Sequence, residues 1–325
     1  MSDARGSLAG RVVALSLSPP GDGLRLGYPA NEFDRMCFDL ALRIVRAGGR
    51  VLYGGHLHEG SMTLAIFEHV AGVFSAGKLG TEAVRVPFLH FLSWHELSKT
   101  SFDRLARTLR SFGTFAEIRV VPRTSEQIRL WLATDMHSPP FIIADDATVS
   151  TGKRAIADQE ALSAFHASRP PMTEAEALEV MRTAQREAAE ARIVLGGRRG
   201  DLGLRERHLG IPGGDPEKEV DRYRGDMPGI CEEVLVSLEA GHPIAIAAAF
   251  GGAARDTAIW LDLLPSEDAV PYIGNVQEGV KLARESLRAA RDRLRGHRDT
   301  LCAFARRDDS EALARDIVNW ISGEL

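Results

Sequence analysis

Two pieces of the chain decide the fold: MRTAQREAAEARIVLGGRRG, from Met181 to Gly200, and RGDMPGICEEVL, from Arg224 to Leu235. The first piece predicts a helix followed by a short buried strand that runs into a pair of glycines. The second piece predicts a turn that opens another helix. Backbone N–H groups point outward from the start of a helix, and the helix dipole favours an anion there. We therefore expect a phosphate group, such as that of a nucleotide, to bind where this strand ends and this helix begins.

The composition is that of an ordinary globular chain. Of the 325 residues, 44% are hydrophobic and 26% are charged, and the formal net charge is −5. A net negative charge gives no global basic field, so we expect no nucleic acid partner. The three cysteines, Cys37, Cys231 and Cys302, are odd in number and far apart, which favours a reducing cytoplasm over a disulfide framework.

The sequence also predicts that the protein does not enter a membrane. No apolar run approaches the roughly 20 residues that a helix needs to cross a bilayer. The first apolar run, Val12–Ser18, is followed at once by Pro19 and Pro20, and it predicts a β-strand rather than a signal peptide. We expect a cytoplasmic protein.

The first 75 residues predict a strand, a helix, a second strand and a second helix, at Arg11–Leu17, Ala30–Ala47, Arg50–Tyr53 and Met62–Phe74. Strands that alternate with helices in this way form a parallel sheet. We predict an α/β, Rossmann-like fold: an open, mostly parallel sheet with helices on both faces, plus C-terminal helices. The further strands are predicted at 85–94, 117–121, 141–144, 191–195 and 242–249, and the further helices at 102–112, 126–136, 173–189, 232–240, 253–264, 275–297 and 310–321.

We predict one α/β domain over residues 1–265. Within it, residues 145–171 form a long connection and residues 198–227 an insertion that covers the pocket as a flap. Residues 266–325 form a C-terminal helical extension packed on the same domain. This extension is the natural surface for self-association, so we expect a homo-oligomer.

Three predicted strands end in glycine pairs: Gly54-Gly55, Gly196-Gly197 and Gly251-Gly252. A single glycine pair can be only a tight turn, but three at strand ends favour close approach of the backbone to a ligand. None of them fits GxGxxG or the phosphate-binding loop GxxxxGK[ST], so the chain is not an ordinary dinucleotide dehydrogenase or P-loop enzyme. The candidate ligand-binding residues are Ser16, Ser18, Gly54, Gly55, Ser61, Thr63, Gly196, Gly197, Arg198, Arg199, Pro228, Gly229, Ile230, Glu232, Gly251 and Gly252.

The candidate site contains no predicted metal or resident cofactor. His56 and His58 lie beside Glu59, but this spacing within a loop matches no dedicated zinc pattern and no further ligands are apparent. Contact with a ligand, or the ordinary polarity of a solvated loop, explains these histidines better.

The order of these motifs resembles the SLOG superfamily. The resemblance rests on Arg182, the strand ARIVLGGR, the motif PGICEE and the strand HPIAIAAAFGGAA, and it extends from about Arg11 to Ala254. The superfamily includes the cytokinin-activating LOG phosphoribohydrolases, the DNA-processing protein A domain, and sensor domains of TRPM channels and antiviral effectors. The resemblance implies a Rossmann-like fold that binds a nucleotide.

The chain departs from the LOG signature, in which an arginine precedes a strand ending in PGG and the motif GGxGTxxE follows. Gly229 aligns with the glycine of GT and Glu233 with the final glutamate, but Ile230 replaces the threonine. Asp226 and Met227 replace the preceding glycine pair. Binding tolerates such changes better than catalysis, because catalysis needs side chains held to within a fraction of an ångström.

The resemblance implies catalytic roles for Arg182 and Glu233 if the protein is an enzyme. Cleavage at a ribose passes through an oxocarbenium-like state that a carboxylate stabilises, and an arginine can pair with a phosphate. The structural alternatives are that Arg182 is a solvated helix residue and that Glu232 and Glu233 are favourable charges in a first helical turn. Arg198 and Arg199, beside the glycines, are candidates for phosphate contacts.

These observations leave three hypotheses for the function. The first is a module that binds or senses a nucleotide or an NAD-derived signal, such as an ADP-ribose species. The second is a LOG-like nucleotide N-glycosidase, that is, a phosphoribohydrolase. The third is a scaffold whose pocket is vestigial. For a sensor, the sequence predicts no output domain, so the signal would act through the oligomer or through a separate effector protein.

Overall fold

We describe the protein from a computed structural model. The structure describes residues 7–75, 86–123, 126–135, 138–146, 152–207 and 217–325. Parts of two predicted segments, residues 147–151 of the long connection and 208–216 of the insertion, lie outside the described residues. None of the helices in these ranges is long and apolar enough to span a membrane.

A nine-stranded sheet carries the fold, in the order β11-β8-β1-β2-β3-β4-β5-β6-β7. Strands β1 to β4 pair in parallel, as do β8 and β11, whereas β4 to β7 are antiparallel. Strands β9 and β10 form a separate antiparallel ribbon within the predicted insertion. The strands are β1 Val12–Ser18, β2 Arg50–Gly54, β3 Phe88–Ser93, β4 Ala116–Arg123, β5 Glu126–Asp135, β6 Ser138–Asp146, β7 Lys153–Ile156, β8 Ala191–Gly196, β9 Asp201–Arg207, β10 Glu217–Asp221 and β11 Ile244–Ala247.

The predicted α/β, Rossmann-like class is therefore confirmed. The helices are α1 Ala30–Arg46, α2 Met62–Ser75, α3 Trp94–Lys99, α4 Phe102–Phe112, α5 Gln159–Ala167, α6 Glu174–Ala188, α7 Gly229–Glu239, α8 Gly252–Trp260, α9 Gly279–Ala290, α10 Arg298–Arg306 and α11 Ser310–Glu324. Short 3-10 helices span Gly23–Leu26, Ser266–Asp268 and Arg291–His297.

One predicted helix, Glu126–Met136, is wrong, because Glu126–Asp135 forms strand β5. Its sequence alternates: Ile128 and Leu130 are buried, whereas Arg129 between them is exposed. This period of two residues is that of a strand with one buried face. The predicted long connection also contains elements of its own, strand β7 and helix α5.

Helix α6 shows why the local sequence folds as predicted. Thr173 caps the helix, because its hydroxyl oxygen accepts a hydrogen bond from the N–H of Glu176 at 3.2 Å. The Glu176 carboxylate accepts from the N–H of Thr173 at 2.7 Å. This reciprocal capping box satisfies two N–H groups that the first helical turn leaves without partners.

The chain divides into two compact units. The first comprises the residues up to Ala14 and Ile44–Ala189. Helix α6 packs on β2, β3 and β4, and its Met181 and Ala184 join the buried core there. Helices α3, α4 and α5 belong to a second core cluster, built on the opposite face of these strands around Trp94. This unit therefore has helices on both faces of its sheet.

The second unit comprises Leu15–Arg43 and Glu190–Leu325. Helices α7 and α8 pack on β8 and β11, α10 packs on β11, and α9 packs on α7 and α8. The C-terminal helices are thus part of the core of this unit. The predicted division of the chain at residue 265 stays a prediction.

Candidate anion-binding site

The ends of β1 and β8 lie against each other in the second unit. The N–H of Gly197 donates to the carbonyl oxygen of Ser18 at 2.8 Å. Gly196 and Gly197 have φ values of +67° and +96°, and a Cβ atom on Gly196 would lie 2.3 Å from the same Ser18 oxygen. Only glycine allows this approach, because a Cβ atom would overlap the backbone there.

The start of helix α8 reaches the same place. The N–H of Ala253 donates to the carbonyl oxygen of Gly197 at 3.0 Å. A Cβ atom on Gly252, where φ is +69°, would lie 2.5 Å from the Gly197 oxygen. The structure therefore brings the glycine pairs 196–197 and 251–252 together. The absence of side chains lets the backbones of the two pairs pack in direct contact. Their predicted contact with a ligand stays a prediction.

Asp22 caps helix α8 from the loop after β1. Its Oδ1 atom accepts a hydrogen bond from the N–H of Gly252 at 2.7 Å, and its side chain is only 1% exposed. The positive end of α8 thus already holds a carboxylate of the protein itself.

Arg199 is buried in the same region and holds three segments together. Its Nε and Nη2 atoms donate to the two oxygens of Asp256 at 2.7 and 3.0 Å, and its Nη1 donates to Asp22 at 3.1 Å. Nη2 also donates to the carbonyl oxygen of Val270 at 2.7 Å. The guanidinium lies 4.2 Å from the ring centre of Tyr272, whose hydroxyl donates to Asp256 at 2.8 Å.

This cluster is electrostatically tight, because two buried carboxylates share one guanidinium. Burial raises the pKa of Asp256, and the neighbouring Arg199 works against that rise. Burial alone would lower the pKa of Arg199, but Asp256 and Asp22 outweigh it and raise that pKa. Arg199 was predicted to bind a phosphate; that stays a prediction, but the structure gives its guanidinium internal partners. Arg198, in contrast, is only half-buried.

Helix α7 begins at the end of β8 in a different way. Its cap residue is Pro228, which makes no side-chain hydrogen bond to the first turn. The side chain of Ile230 packs on Gly197, because a Cβ atom on Gly197 would lie 2.4 Å from the Ile230 Cδ1 atom. The positive end of α7 therefore lies beside the end of β8, and its cap residue, Pro228, supplies no acidic side chain. Glu232, in the first turn of α7, is half-buried.

Glu233, on the same helix, is fixed by an arginine that the sequence analysis missed. Arg192 is fully buried, and its Nη1 atom donates to the Glu233 Oε2 atom at 3.0 Å and to the Ser16 hydroxyl at 2.5 Å. Its Nε atom donates to the Ser237 hydroxyl at 2.7 Å. The Glu233 side chain keeps 16% of its surface exposed. The only local signal was an arginine within the otherwise apolar strand ARIVLG.

The remaining predicted residues belong to the first unit. A Cβ atom on Gly54 would lie 1.9 Å from the Gln185 Nε2 atom, and one on Gly55 would lie 3.0 Å from the Thr63 hydroxyl oxygen. Gly54 therefore admits the amide of Gln185, from helix α6, against the end of β2. Arg182, on the same helix, is 6% exposed. The alternative that Arg182 is merely a solvated helix residue is therefore wrong.

Ser61, a candidate ligand-binding residue, caps helix α2 by accepting a hydrogen bond from the N–H of Leu64 at 3.3 Å; its contact with a ligand stays a prediction. The rings of His56 and His58 lie 4.8 Å apart, and the His58 Nδ1 atom lies 2.5 Å from the Arg104 Nη1 atom. Within the described residues, no group of three or more histidine, cysteine, aspartate or glutamate side chains is arranged to hold a metal ion.

His90, in β3, is fully buried near the backbone of Gly55 and Tyr53. Burial lowers its pKa to about 3, although the backbone groups of Gly55 and Tyr53 favour the charged form. His90 is therefore a neutral residue of the core at neutral pH.

The fold and the glycine-lined strand ends define a Rossmann-like α/β protein with its loops gathered at the carboxyl edge of a parallel sheet, where ligands of this class bind. The chain belongs to the SLOG superfamily: the family model described as SLOG cluster2 matches residues 7–203 and 214–271. The predicted family is confirmed, and the unmatched residues 204–213 fall inside the predicted insertion. No curated protein and no solved structure gives a significant match. SLOG membership supports a domain that binds or processes a nucleotide-related ligand.

Proposed function

We propose that this protein binds a nucleotide or an NAD-derived molecule, such as an ADP-ribose species, with a phosphate at the N-terminus of helix α7. One observation carries the proposal. Helix α8 begins on the carboxylate of Asp22, whereas the cap residue of α7 is Pro228, which has no side-chain acceptor. A helix start without an acidic cap offers N–H donors and a positive dipole to an anion.

Family membership supports the nucleotide. The start of α7 alone would accept many anions. SLOG proteins, however, are nucleotide-related domains, and the family model covers both β8 and α7. The flap function of residues 198–227 belongs to the same proposal: the ribbon of β9 and β10 lies within this insertion.

A second candidate is the LOG-like N-glycosidase, and the contact between Arg192 and Glu233 favours it. Arg192 holds the Glu233 carboxylate at a fixed place in α7, four residues after Gly229. A carboxylate held in this way is the group that would stabilise an oxocarbenium-like state at a ribose. In a binding protein, the same carboxylate would accept hydrogen bonds from ribose hydroxyls instead.

A thermal-shift panel separates these candidates. The purified protein is heated with AMP, ADP-ribose, cyclic ADP-ribose isomers, NAD and cyclic dinucleotides, and each mixture is then analysed for released base. A ligand at 100 times its dissociation constant stabilises the folded state by about 2.7 kcal/mol, which is readily measured. A shift without released base supports the sensor, whereas a shift with released base supports the hydrolase.

The Glu233→Gln variant then tests the role of the carboxylate. A hydrolase loses turnover and keeps binding, whereas a sensor has no turnover to lose. If no compound in the panel shifts the unfolding temperature, both nucleotide proposals fail and the scaffold hypothesis remains.

The output of a sensor is part of the proposal. We expect binding to change self-association through residues 266–325, or to change contact with a separate effector protein. Light scattering with and without the ligand found in the panel measures the first of these directly.

A further inference from the structure

A pocket of about 350 Å³ lies in the second unit, away from the strand ends. It lies between the end of α8 and the helices α9 and α10. Its volume is at the lower end of the range for small-molecule sites. The lining residues are Ile259, Asp262, Leu263, Leu264, Pro265, Ser266, Arg288, Cys302 and Arg306.

This pocket is separate from the candidate nucleotide site. Helix α8 begins at Gly252, beside the strand ends, and ends at Trp260. Nine helical residues span about 13 Å. The pocket therefore lies at the far end of α8 from the Asp22 cap.

The floor of the pocket is apolar. Leu263 and Leu264 are 1% and 5% exposed, and Ile259 and Pro265 extend the same surface. The backbone is held in place here, because the N–H of Leu263 donates to the carbonyl oxygen of Ala258 at 2.8 Å. Because these leucines expose little surface of their own, a ligand that fills this floor gains free energy mainly by removing its own apolar surface from water.

The rim carries an excess of positive charge. Arg288 and Arg306 are exposed, and within the described ranges neither forms an ion pair with a carboxylate. The acid in the lining, Asp262, already has cationic neighbours: its Oδ2 atom lies 3.3 Å from Arg291, and its carbonyl oxygen accepts from Arg298 at 2.6 Å. The two arginines of the rim thus remain available to an anion.

One feature of the pocket opposes an anion. The C-terminal end of α8 carries a partial negative charge of about half an elementary charge. Its last carbonyl groups already accept hydrogen bonds, among them that of Ile259 from the N–H of Asp262 at 3.1 Å. The full charges of the two rim arginines exceed this partial charge.

We propose that this pocket is a second ligand site, which takes a small anion with an apolar body, such as an alkyl phosphate or an aliphatic carboxylate. The anionic group lies between Arg288 and Arg306, and the apolar body covers Leu263 and Leu264. The proposal does not depend on the nucleotide site.

Cys302 makes the test direct, because it lines the pocket and is partly exposed, whereas Cys37 and Cys231 are buried. The rate at which iodoacetamide alkylates native protein therefore reports on Cys302. The probes are hexyl phosphate, 1-hexanol and inorganic phosphate at equal concentration. We expect saturating hexyl phosphate to slow alkylation about tenfold and the other two to have little effect, because neither combines the charge with the apolar body. Equal rates with and without hexyl phosphate, or equal protection by hexanol or by inorganic phosphate, would overturn the proposal.

Two sets of variants assign the protection to the rim. In the double variant Arg288→Gln with Arg306→Gln, hexyl phosphate should no longer protect Cys302. Arg293→Gln, which removes an exposed arginine outside this lining, should leave the protection unchanged. These substitutions are at exposed positions, so their unfolding temperatures should match that of the unaltered protein. Protection that persists in the double variant contradicts the assignment.

Discussion

Helices α7 and α8 both begin at the strand ends of the second unit, but they complete their first turns differently. The N–H of Gly252 in α8 donates to the buried carboxylate of Asp22. Helix α7 follows Pro228, which provides no side-chain acceptor. A glycine or proline ahead of a helix therefore does not by itself mark a ligand site. A helix start can bind a ligand anion only if another part of the chain does not already place a carboxylate there.

We expect the largest loss of stability when Arg199, which holds Asp22 and Asp256 near the start of α8, is replaced. Arg199→Leu should destabilise the protein by about 3–5 kcal/mol, because it leaves the buried carboxylates of Asp22 and Asp256 without their guanidinium. Urea unfolding measures the change. Arg293→Leu, at an exposed position, should change stability by no more than about 0.5 kcal/mol. A loss for Arg199→Leu as small as this control would show that the cluster does not anchor α8.

A pair of glycine substitutions tests the close approach of α8 to β8. Gly252 and Gly241 have nearly the same φ, +69° and +72°, but only Gly252 has atoms where a Cβ would lie. Gly241→Ala should cost about 1–2 kcal/mol through its backbone conformation alone. Gly252→Ala should cost about 1–3 kcal/mol more, because the added carbon overlaps the backbone of β8. Equal losses in thermal or urea unfolding would contradict the close approach.

Substitutions of Asp22 test whether the start of α8 binds an anion from solution when the Asp22 carboxylate is absent. Asp22→Ala should cost at least about 2 kcal/mol, because it removes the helix cap and also one partner of the buried Arg199. Added sulfate should restore part of this stability in the variant, because the anion can then reach the start of α8. Asp22→Asn keeps an acceptor for Gly252 and should respond less. If sulfate stabilises the variants and the unaltered protein equally, the carboxylate does not occupy an anion site.

The local elements could be predicted from the sequence because their signals are local. Helix α4 has the predicted bounds, Phe102–Phe112, and the helix predicted at 173–189 is α6, Glu174–Ala188, which begins at a capping box made by residues only three positions apart. The helix predicted at 126–136 was wrong because Ile128 and Leu130 alternate with polar residues, and pairing with β4 and β6 buries their side of the strand.

The internal contacts of the site could not be predicted, because they join residues far apart in sequence. Asp22 and Gly252 are 230 positions apart, and Arg192 and Ser16 are 176 apart. Nothing near Asp22 in the sequence indicates that its carboxylate is a helix cap. The glycine pairs were found from sequence alone, but their packing against each other follows only from the paired strands.

The most direct test of the account concerns the start of α7. An aspartate at position 229 places a carboxylate in the first turn, where a ligand phosphate would bind, and an asparagine has the same shape without the charge. We predict that Gly229→Asp weakens binding of the nucleotide that gives the largest thermal shift by at least about tenfold, whereas Gly229→Asn changes it much less. Stability should rise by about 0.3–1 kcal/mol in the aspartate variant relative to asparagine, since the charge is favourable there. Equal affinities of the two variants, measured by calorimetry, would contradict the claim that the N-terminus of α7 binds the phosphate.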